Sequence, residues 1–313
     1  MSPITLAVAG ISGSVGTTLA TGLAAIQRGG APDGLLTELP WPLGSGDGRS
    51  LAERLELAPL SSLHAQGWDT DSRPLGESVR EKGILPGELL DSVQPALQEL
   101  VPWPALSAPR SEFIDRARQQ LESLLATEQG VVVVDLLPAS ATPEGAWGLD
   151  IASFEKALME DRPEITPSMA YAWLAFTVGV PYVNFTPNVS VELPALRELA
   201  RRSKVPYCGK DGKTGQTLLK TAIAPTLGLR GLKVEGWISA NYLGNADGEN
   251  LSDPVNAAEK LRNKTKVLDE ILGYEVESHI VDIRYYRPRG DFKESWDSID
   301  FTGWCGVPMQ LKL

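Results

Sequence analysis

The segment ITLAVAGISGSVG, residues Ile4–Gly16, decides the fold class of this chain. Its first part, Ile4–Ala9, is mostly apolar like a buried strand, and a glycine-rich turn follows at once. After the turn, apolar residues recur at positions 15, 19, 23 and 26, which is the spacing of one helix face. A strand, a glycine turn and a helix in this order are typical of the start of a dinucleotide-binding fold.

The glycine turn predicts a site for a pyrophosphate. Gly10 permits the tight turn, Gly16 lets the helix pack closely on the strand, and the helix N-terminus faces the phosphates. Ser12 replaces the middle glycine of the usual pattern, with Gly13 beside it. The match to the dinucleotide pattern is therefore incomplete.

The remainder of the first half alternates helix and strand patterns. A helical pattern over Ser111–Glu128 precedes the unbroken apolar run Val131–Val134, which predicts a central strand buried on both faces. A helix over Ser168–Val178 and a strand over Tyr182–Asn184 follow. Two stretches rich in Pro, Gly and Ser are predicted as mostly loop, residues 39–50 and 57–67. We therefore predict an α/β fold with a doubly wound parallel sheet.

A second, smaller α/β domain is expected in the other half of the 313 residues. Its strand candidates are Lys204–Cys208, Lys233–Asn241 and Ser278–Tyr286. We place the dinucleotide-binding domain at residues 1–188 and the second domain at residues 189–293. The C-terminal segment 294–313 is a candidate for completing the first domain.

Charge and composition exclude several classes of function. The net charge of −11 argues against general binding of nucleic acid or anionic membranes, because both need a basic face. Residues 201–293 nevertheless carry 16 Lys and Arg against 12 Asp and Glu, which suits a small anionic ligand. Ordinary surface scatter of charge is the alternative. No secretory signal or long apolar run is found, so we expect a cytoplasmic location.

The segment YCGKDGKTGQT, residues Tyr207–Thr217, predicts a phosphate site of a different kind. The nucleotide P-loop would need glycine where this chain has Tyr207. A helix beginning near Thr214 would instead offer free backbone N–H groups and two hydroxyls to a phosphate. A capped helix with a glycine-rich approach is the alternative interpretation.

Three lysines are candidates for binding the same anion. Lys260 and Lys264 are four residues apart on a helix predicted after Pro254. Two like charges at that spacing cost a helix roughly 0.2–0.5 kcal/mol, which a bound anion would offset. The alternative is that both side chains point into water. Lys293 lies in a loop just after a predicted strand, where functional residues accumulate.

Seven stretches, taken in order, form a specific combination: Gly10–Thr17, Gly67–Asp69, Tyr182–Asn188, Gly209–Thr217, Asn241–Leu251, Lys260–Lys264 and Pro288–Lys293. Together they resemble the family of myo-inositol-1-phosphate synthases, and the resemblance covers essentially the whole chain. The stretches Asn241–Leu251 and Gly209–Thr217 are the most specific of the seven.

The resemblance implies an NAD-dependent cyclising isomerase. Members of this family oxidise C5 of D-glucose 6-phosphate to a ketone, enolise at C6, close the ring by aldol attack on the C1 aldehyde and return the hydride to C5. The product is 1D-myo-inositol 3-phosphate, with no net redox change. Negative charge builds on an oxygen at each step, and ammonium groups in a dry pocket can stabilise it and move protons.

The resemblance also implies roles for individual residues. Lys260 and Lys293 would serve the oxygens at C5 and C1 and transfer protons, and Lys264 would complete the lysine set. Asp211 and Asp247 match acidic positions near the nicotinamide and, in some members, a monovalent or divalent cation. The substrate phosphate would be held by Thr214, Gly215, Gln216, Thr217, Asn245 and Lys264. NAD would be contacted by Gly10, Ser12, Gly13, Ser14, Val15, Gly16, Asp69, Leu137 and Asp211.

Asp69 is the expected ligand of the NAD ribose, and Glu38 is a weaker candidate for that role. Two positions depart from the family pattern, because Ala246 replaces a polar residue and Phe185 replaces a glycine. Family chains also continue past residues 301–309 into a tail with a further lysine and an acidic active-site residue.

Two other functions stay open at this point. A paralogue could cyclise another sugar phosphate, because the phosphate and lysine motifs would be retained while contacts to the hydroxyls change. An NAD-binding protein without turnover is the other possibility. The resemblance further implies a homo-oligomer, a tetramer assembled through the second domain. The net charge argues against nucleic acid or a membrane as a partner.

Overall fold

The computed structural model describes residues 3–30, 48–107, 109–127, 130–141, 143–212, 214–245, 248–249, 268–290 and 292–313. The chain divides into two units, each with its own sheet. The first unit takes the residues up to Leu137, Pro143–Asn184 and Val189–Cys208. The second unit takes Pro138–Thr142, Phe185–Asn188 and Gly209–Leu313.

The first unit is built on a six-stranded sheet in the order β3-β2-β1-β4-β5-β6, with every pair parallel. Its strands are β1 (Ile4–Ala9), β2 (Leu63–Asp69), β3 (Trp103–Pro104), β4 (Gly130–Asp135), β5 (Tyr182–Asn184) and β6 (Tyr207–Cys208). This is the strand order of dinucleotide-binding sheets, whose ligands bind beyond the carboxyl ends of the strands. The predicted α/β fold with a doubly wound parallel sheet is confirmed.

Helices cover both faces of this sheet. They are α1 (Ser14–Gln27), α2 (Leu51–Arg54), α3 (Leu75–Lys82), α4 (Gly87–Glu99), α5 (Arg110–Leu125), α6 (Ile151–Met159), α7 (Pro167–Val178) and α8 (Pro194–Ser203). Successive residues of a strand point to opposite faces. Ala7 and Ala9 accordingly join a core with α5 to α8, whereas Val8 joins a core with α1, α3 and α4.

The second unit has a four-stranded mixed sheet in the order β10-β9-β7-β8. Its elements are α9 (Gly215–Leu229), β7 (Lys233–Leu243), β8 (Ser278–Tyr285), β9 (Glu294–Thr302) and β10 (Pro308–Lys312), with a helical turn at residues 268–272. Strands β7 and β8 are parallel, and β9 runs antiparallel to both β7 and β10. One face of the sheet packs on α9 around Trp237, Ile299 and Ala224.

The division into units differs from the boundaries expected from the sequence. Strand β6 pairs with β5, so the predicted strand at Lys204–Cys208 lies in the first sheet and not in the second. Residues 189–208 therefore belong to the first unit. The segment 294–313 forms β9 and β10 of the second sheet and does not complete the first domain. The polar stretch after Asn184 is not a domain boundary. Only Phe185–Asn188 belongs to the second unit there, and Val189–Cys208 belongs to the first unit again.

Strand β2 forms in a segment, residues 57–67, that was expected to be loop. The strand LHAQGWD has no β-branched residue, so its propensity for strand is weak. Tertiary packing requires glycine at position 67, because a Cβ there would overlap the carbonyl oxygen of Val8 on β1. Helices α3 and α4 were also not predicted, and α4 carries Pro95 in its interior. Among the described residues, no helix is both long and apolar enough to cross a membrane.

We expect Gly67→Ala to destabilise the protein by about 3 kcal/mol, because β1 and β2 would have to move apart to admit the methyl group. Gly22 in α1 provides a matched control, since nothing lies within 4 Å of a Cβ added there. Gly22→Ala should keep or raise the free energy of unfolding, by up to about 1 kcal/mol. Urea denaturation of both variants measures the difference, and equal stabilities would contradict the close approach.

Candidate active site

The glycine turn of the first unit has the geometry of an anion site. Gly10 adopts φ +88°, and its N–H donates to the Trp68 carbonyl at 2.8 Å. A Cβ at Gly10 would lie 3.0 Å from the Leu136 carbonyl oxygen, and one at Gly16 would overlap Ile11. Helix α1 begins directly after Gly13, its N-cap, which has no side chain to satisfy the first N–H groups. These N–H groups are therefore available to a phosphate.

Asp69 is held beside this turn. Its Oδ2 accepts a hydrogen bond of 2.8 Å from the Ser12 N–H, and its Oδ1 accepts one of 3.1 Å from the Asp71 N–H. The carboxylate lies at the carboxyl end of β2, next to β1 in the sheet. A carboxylate fixed at this point can accept hydrogen bonds from the hydroxyls of a ribose.

The turn also contains a buried polar atom that calls for a partner. The hydroxyl of Ser12 is buried and finds no hydrogen-bond partner within the described part of the chain. A buried hydroxyl of this kind costs free energy unless a ligand or water satisfies it. Together with the free N–H groups of α1 and the carboxylate of Asp69, it fits the phosphates and ribose of a dinucleotide.

Leu137 follows β4 at the same end of the sheet. Its N–H donates to Oδ1 of Asp135 at 3.0 Å, so the backbone there is fixed by a buried carboxylate. The other oxygen of Asp135 accepts from the Tyr182 hydroxyl at 2.8 Å. Burial raises the pKa of Asp135 above its ordinary value. The sequence analysis did not single out Asp135, because a lone aspartate after an apolar strand carries no motif.

In the second unit, the first turn of α9 meets the ammonium of Lys293. Thr214 is the N-cap of α9, and its side chain makes no capping hydrogen bond with the described residues. Nζ of Lys293 lies 3.7 Å from the point where a Cβ on Gly215 would be. Free N–H groups and an ammonium at one place favour an anion. The structure therefore brings Lys293 together with the predicted phosphate turn, residues 214–217.

Gln216 fastens this turn to the sheet. Its Nε2 donates to the carbonyl oxygens of Ala240 and Trp296, both at 3.1 Å. Its Oε1 accepts from Nδ2 of Asn241. Because the side chain is only 3% exposed and is used inside the unit, Gln216 can offer a ligand its backbone N–H and not its amide. The Asn241 amide was not predicted, and its buried Oδ1 has no partner among the described residues.

Asn245 follows the carboxyl end of β7, and Lys293 precedes the start of β9, which runs antiparallel to β7. Both residues therefore lie at the same end of these two strands. The N–H of Gly244 donates to the Gly290 carbonyl at 3.1 Å, and Gly244 has no room for a side chain there. Oδ1 of Asn245 accepts from the Gly248 N–H at 3.1 Å. In these contacts Asn245 shapes its own loop, and its predicted contact with the phosphate stays a prediction.

Asp211 is held by a pair of loops in the second unit. Its N–H donates to the Thr186 carbonyl at 2.8 Å, and the next N–H, of Gly212, donates to Phe185 at 3.1 Å. Asp211 adopts φ +62°, a conformation that Asp and Asn tolerate better than most residues. A Cβ at Gly212 would overlap the Phe185 ring. The departure from the family pattern at Phe185 is therefore accommodated by the glycine that faces it.

Several residues that the sequence analysis named lie outside the described residues, four as site candidates and Ala246 as a departure from the family pattern, and what was inferred for them stays a prediction. They are Glu38, Ala246, Asp247, Lys260 and Lys264. Within the described part of the chain, no group of three or more His, Cys, Asp or Glu side chains could hold a metal ion. The cation that the resemblance allows is likewise still a prediction.

Comparison with known proteins identifies the family. A family model described as myo-inositol-1-phosphate synthase matches residues 215–313. The chain is 35% identical over 337 residues to inositol-3-phosphate synthase 1 of Bacteroides thetaiotaomicron, and the alignment covers 98% of this chain and 78% of that protein. The chain belongs to the inositol-3-phosphate synthase family. This family consists of isomerases.

A further relative and a solved structure are also similar to this chain. Inositol-3-phosphate synthase of Drosophila melanogaster is 28% identical over 278 residues, which cover 79% of this chain and 49% of that protein. The chain thus spans about half the length of that relative. The crystal structure of inositol-3-phosphate synthase from Caenorhabditis elegans shares the fold, with a TM-score of 0.88 at 22% identity over 100% of this chain and 70% of that chain.

One charged residue of this inositol-3-phosphate synthase family member was missed by sequence reasoning. Lys220 of α9 is 1% exposed, and its Nζ lies 2.7 Å from Nε2 of His279 and 5.8 Å from the centroid of the Trp237 ring. Burial lowers its pKa from 10.5 to about 8, and the charge of Asp297 partly opposes that change. Its spacing of four residues from Gln216 and four from Ala224 places it on the buried face of α9, which the sequence could have indicated.

The lowered pKa of Lys220 makes stability depend on pH. Between pH 8 and 10.5 the unfolded chain holds this proton and the folded chain releases it, so the free energy of unfolding should rise with pH in that window. We expect a rise of up to about 3 kcal/mol that Lys220→Met does not show. Urea denaturation at pH 7.5 to 10.5 measures both proteins. Parallel curves for the two would contradict a buried ammonium at position 220.

Proposed function

We propose that this chain is an NAD-dependent cyclising isomerase that converts D-glucose 6-phosphate to 1D-myo-inositol 3-phosphate. One observation carries the proposal: the ammonium of Lys293 lies against the open first turn of α9. Membership of the inositol-3-phosphate synthase family supports the substrate and the product.

The substrate phosphate would bind at the start of α9. Backbone N–H groups at residues 214–217 would donate to its oxygens, and the dipole of α9 favours a negative charge at this end. Because Gln216 is bound to Ala240 and Trp296, the turn is rigid before the ligand arrives. A rigid site loses little conformational entropy when it binds. Lys264, which the motif places on the same anion, would add its charge.

The lysines would act on the sugar oxygens. Nζ of Lys293 would donate hydrogen bonds to an oxygen that gains charge at C5 or C1, and Lys260 would share this role and the proton transfers. Such donors act most strongly where water is excluded. Asp211, held by the Thr186 carbonyl, would keep a carboxylate near these cations.

NAD would bind at the glycine turn of the first unit. The N–H groups at the start of α1 would hold the pyrophosphate, the Ser12 hydroxyl would gain a partner, and Asp69 would accept from the ribose. When bound, NAD supplies temporary storage for the hydride that leaves C5 and later returns to it. The support for this cofactor is the buried hydroxyl of Ser12 and the carboxylate fixed beside it.

The isomerase proposal predicts a cyclitol phosphate without net NADH. We expect incubation with glucose 6-phosphate and NAD to yield a non-reducing, periodate-sensitive cyclitol phosphate while the absorbance at 340 nm stays flat, as hydride return requires. A simple dehydrogenase would accumulate NADH in proportion to product. An NAD-binding protein without turnover would bind NAD in calorimetry and form neither cyclitol phosphate nor NADH. That result would overturn the proposal.

The same assay tests the role of Lys293. We expect Lys293→Ala to lower kcat at least about 100-fold, because an ammonium next to the phosphate turn would be lost, while NAD affinity stays unchanged. The control is Lys233→Ala, whose exposed ammonium pairs with Glu235 at 2.9 Å in the same unit. If Lys293→Ala and the control retain equal activity, Lys293 has no catalytic role.

The second sheet also supports the predicted homo-oligomer. α9 covers one face, and on the other face Ile238 and Ile280 are direct partners in register, with exposures of 36% and 51%. Trp296, 42% exposed, pairs with Ala240 on the same face. A cluster of large apolar side chains on a sheet face is typical of an interface. We propose that a second copy of this chain covers it, within the tetramer that the resemblance implies.

Light scattering tests this interface. We expect the wild-type protein to be an oligomer and Ile280→Asp to lower its mass, since a carboxylate would be buried without a partner. Leu229→Asp is the matched control, because Leu229 is 89% exposed at the end of α9 and away from that sheet face. A monomeric wild type, or an Ile280→Asp variant with the wild-type mass, would exclude this face as the interface.

A further inference from the structure

A fully buried lysine is an unusual feature of the second unit. Lys220 is 1% exposed, although lysine side chains are almost never fully buried unless they are paired. Removing an ammonium from water is costly, and replacing such a group with an apolar one of similar volume is often stabilising. Its presence in the core under α9 therefore points to a role other than stability.

Lys220 lies in the same helix as the phosphate turn, on the buried face of that helix. Lys220 follows Gln216 by one helical turn, and side chains in a helix lean toward its N-terminus. Gln216 anchors the turn at Ala240 and Trp296, and Lys220 packs over Trp237, which precedes Ala240 by three residues on β7. Thus the ammonium lies on the buried side of α9, about one helical turn beyond the residues where the substrate phosphate is proposed to bind.

The groups around Lys220 define its charge. A protonated lysine has three donors and no acceptor, so in the contact of 2.7 Å the ammonium donates and Nε2 of His279 on β8 accepts. Asp297 on β9 acts on the ammonium from a distance. Its carboxylate accepts from Nε1 of Trp237 at 2.7 Å and from the hydroxyl of Ser239, so its negative charge is shared with other donors.

We propose that Lys220 is a positioning residue for the substrate phosphate: its buried ammonium, in contact with Nε2 of His279, adds positive charge on the buried side of the start of α9. This inference rests on the proposed function for the location of the phosphate. It adds a cation to the site that touches no ligand and acts through the turn.

Titration of Lys220 should make the affinity for the phosphate depend on pH. Burial lowers the pKa of Lys220 to about 8, so its charge is lost as the pH rises above that value. A phosphate monoester has its second ionisation near a pKa of about 6 and keeps a constant charge above pH 7. Affinity for the phosphate monoester should therefore fall between pH 7 and pH 9, because Lys220 loses its proton while the charge of the ligand stays constant.

Calorimetry of the whole protein saturated with NAD tests this, with glucose 6-phosphate as the first probe and inorganic phosphate as the second. We expect the wild type to bind glucose 6-phosphate about fivefold more weakly at pH 9 than at pH 7, and to lose affinity for inorganic phosphate over the same range relative to Lys220→Met. Lys220→Met should bind about tenfold more weakly at pH 7 and show no change with pH. Lys220→Arg, whose guanidinium does not titrate in this range, should restore binding at both pH values.

Kinetics separate positioning from a merely structural role. We expect Lys220→Met to raise KM for glucose 6-phosphate with a smaller effect on kcat, and the control Lys233→Met to change neither. A Lys220→Met variant with the wild-type affinity and pH profile, whatever its melting temperature, would overturn the inference. A flat wild-type profile from pH 7 to 9 would overturn it too, even if neither variant folds.

The two proposals fail in different ways. If the wild type forms no cyclitol phosphate but binds inorganic phosphate with the expected pH dependence, the proposed function is wrong and the role of Lys220 in an anion site stands. If product forms and the affinity does not respond to Lys220, the isomerase stands and the role of Lys220 is wrong.

Discussion

The carboxamide of Gln216 is the interaction on which the candidate phosphate site depends. It joins the first turn of α9 to the carbonyl oxygens of Ala240 and Trp296 and to the amide of Asn241, so three strand residues hold one helix end. A helix N-terminus attracts anions through partial charges that act only over a short range. Its usefulness as a site therefore depends on being fixed, and a buried amide with every donor used provides that rigidity.

In the first unit, the glycine turn is held in place mainly by close contact between backbone segments. Gly10, Gly16 and Gly67 each lie where a Cβ would press on or overlap a neighbouring backbone. The turn and the strand beside it are thus closer together than any other residue would permit. Asp69 then joins β2 to the turn through the Ser12 N–H, which places a carboxylate at the edge where such sheets bind nucleotides.

Sequence reasoning succeeded where the signal is local. The pattern of Ile4–Gly16 predicted β1 and α1 because strand, turn and helix each leave their own spacing. A helix beginning near Thr214 was also predicted, and α9 begins at Gly215 with Thr214 as its N-cap. It failed for β2, whose sequence is a poor strand former that pairing with β1 stabilises. It also assigned the strand that contains β6 to the wrong sheet, because a two-residue strand carries no pattern that identifies its partner. Lys220 was missed because one lysine on an apolar face is normally expected to reach water.

Taken alone, the sequence determined the doubly wound sheet, the family and the identity of the candidate lysines, because these depend on order and spacing along the chain. Only the tertiary structure decided that β9 and β10 join the second sheet, that the Gln216 amide faces the core, and that Lys293 meets the Gly215 turn. Each of these depends on contacts between residues far apart in sequence. Spacing along the chain predicts which residues share a helix or strand face, but not which distant strand or side chain packs against that face.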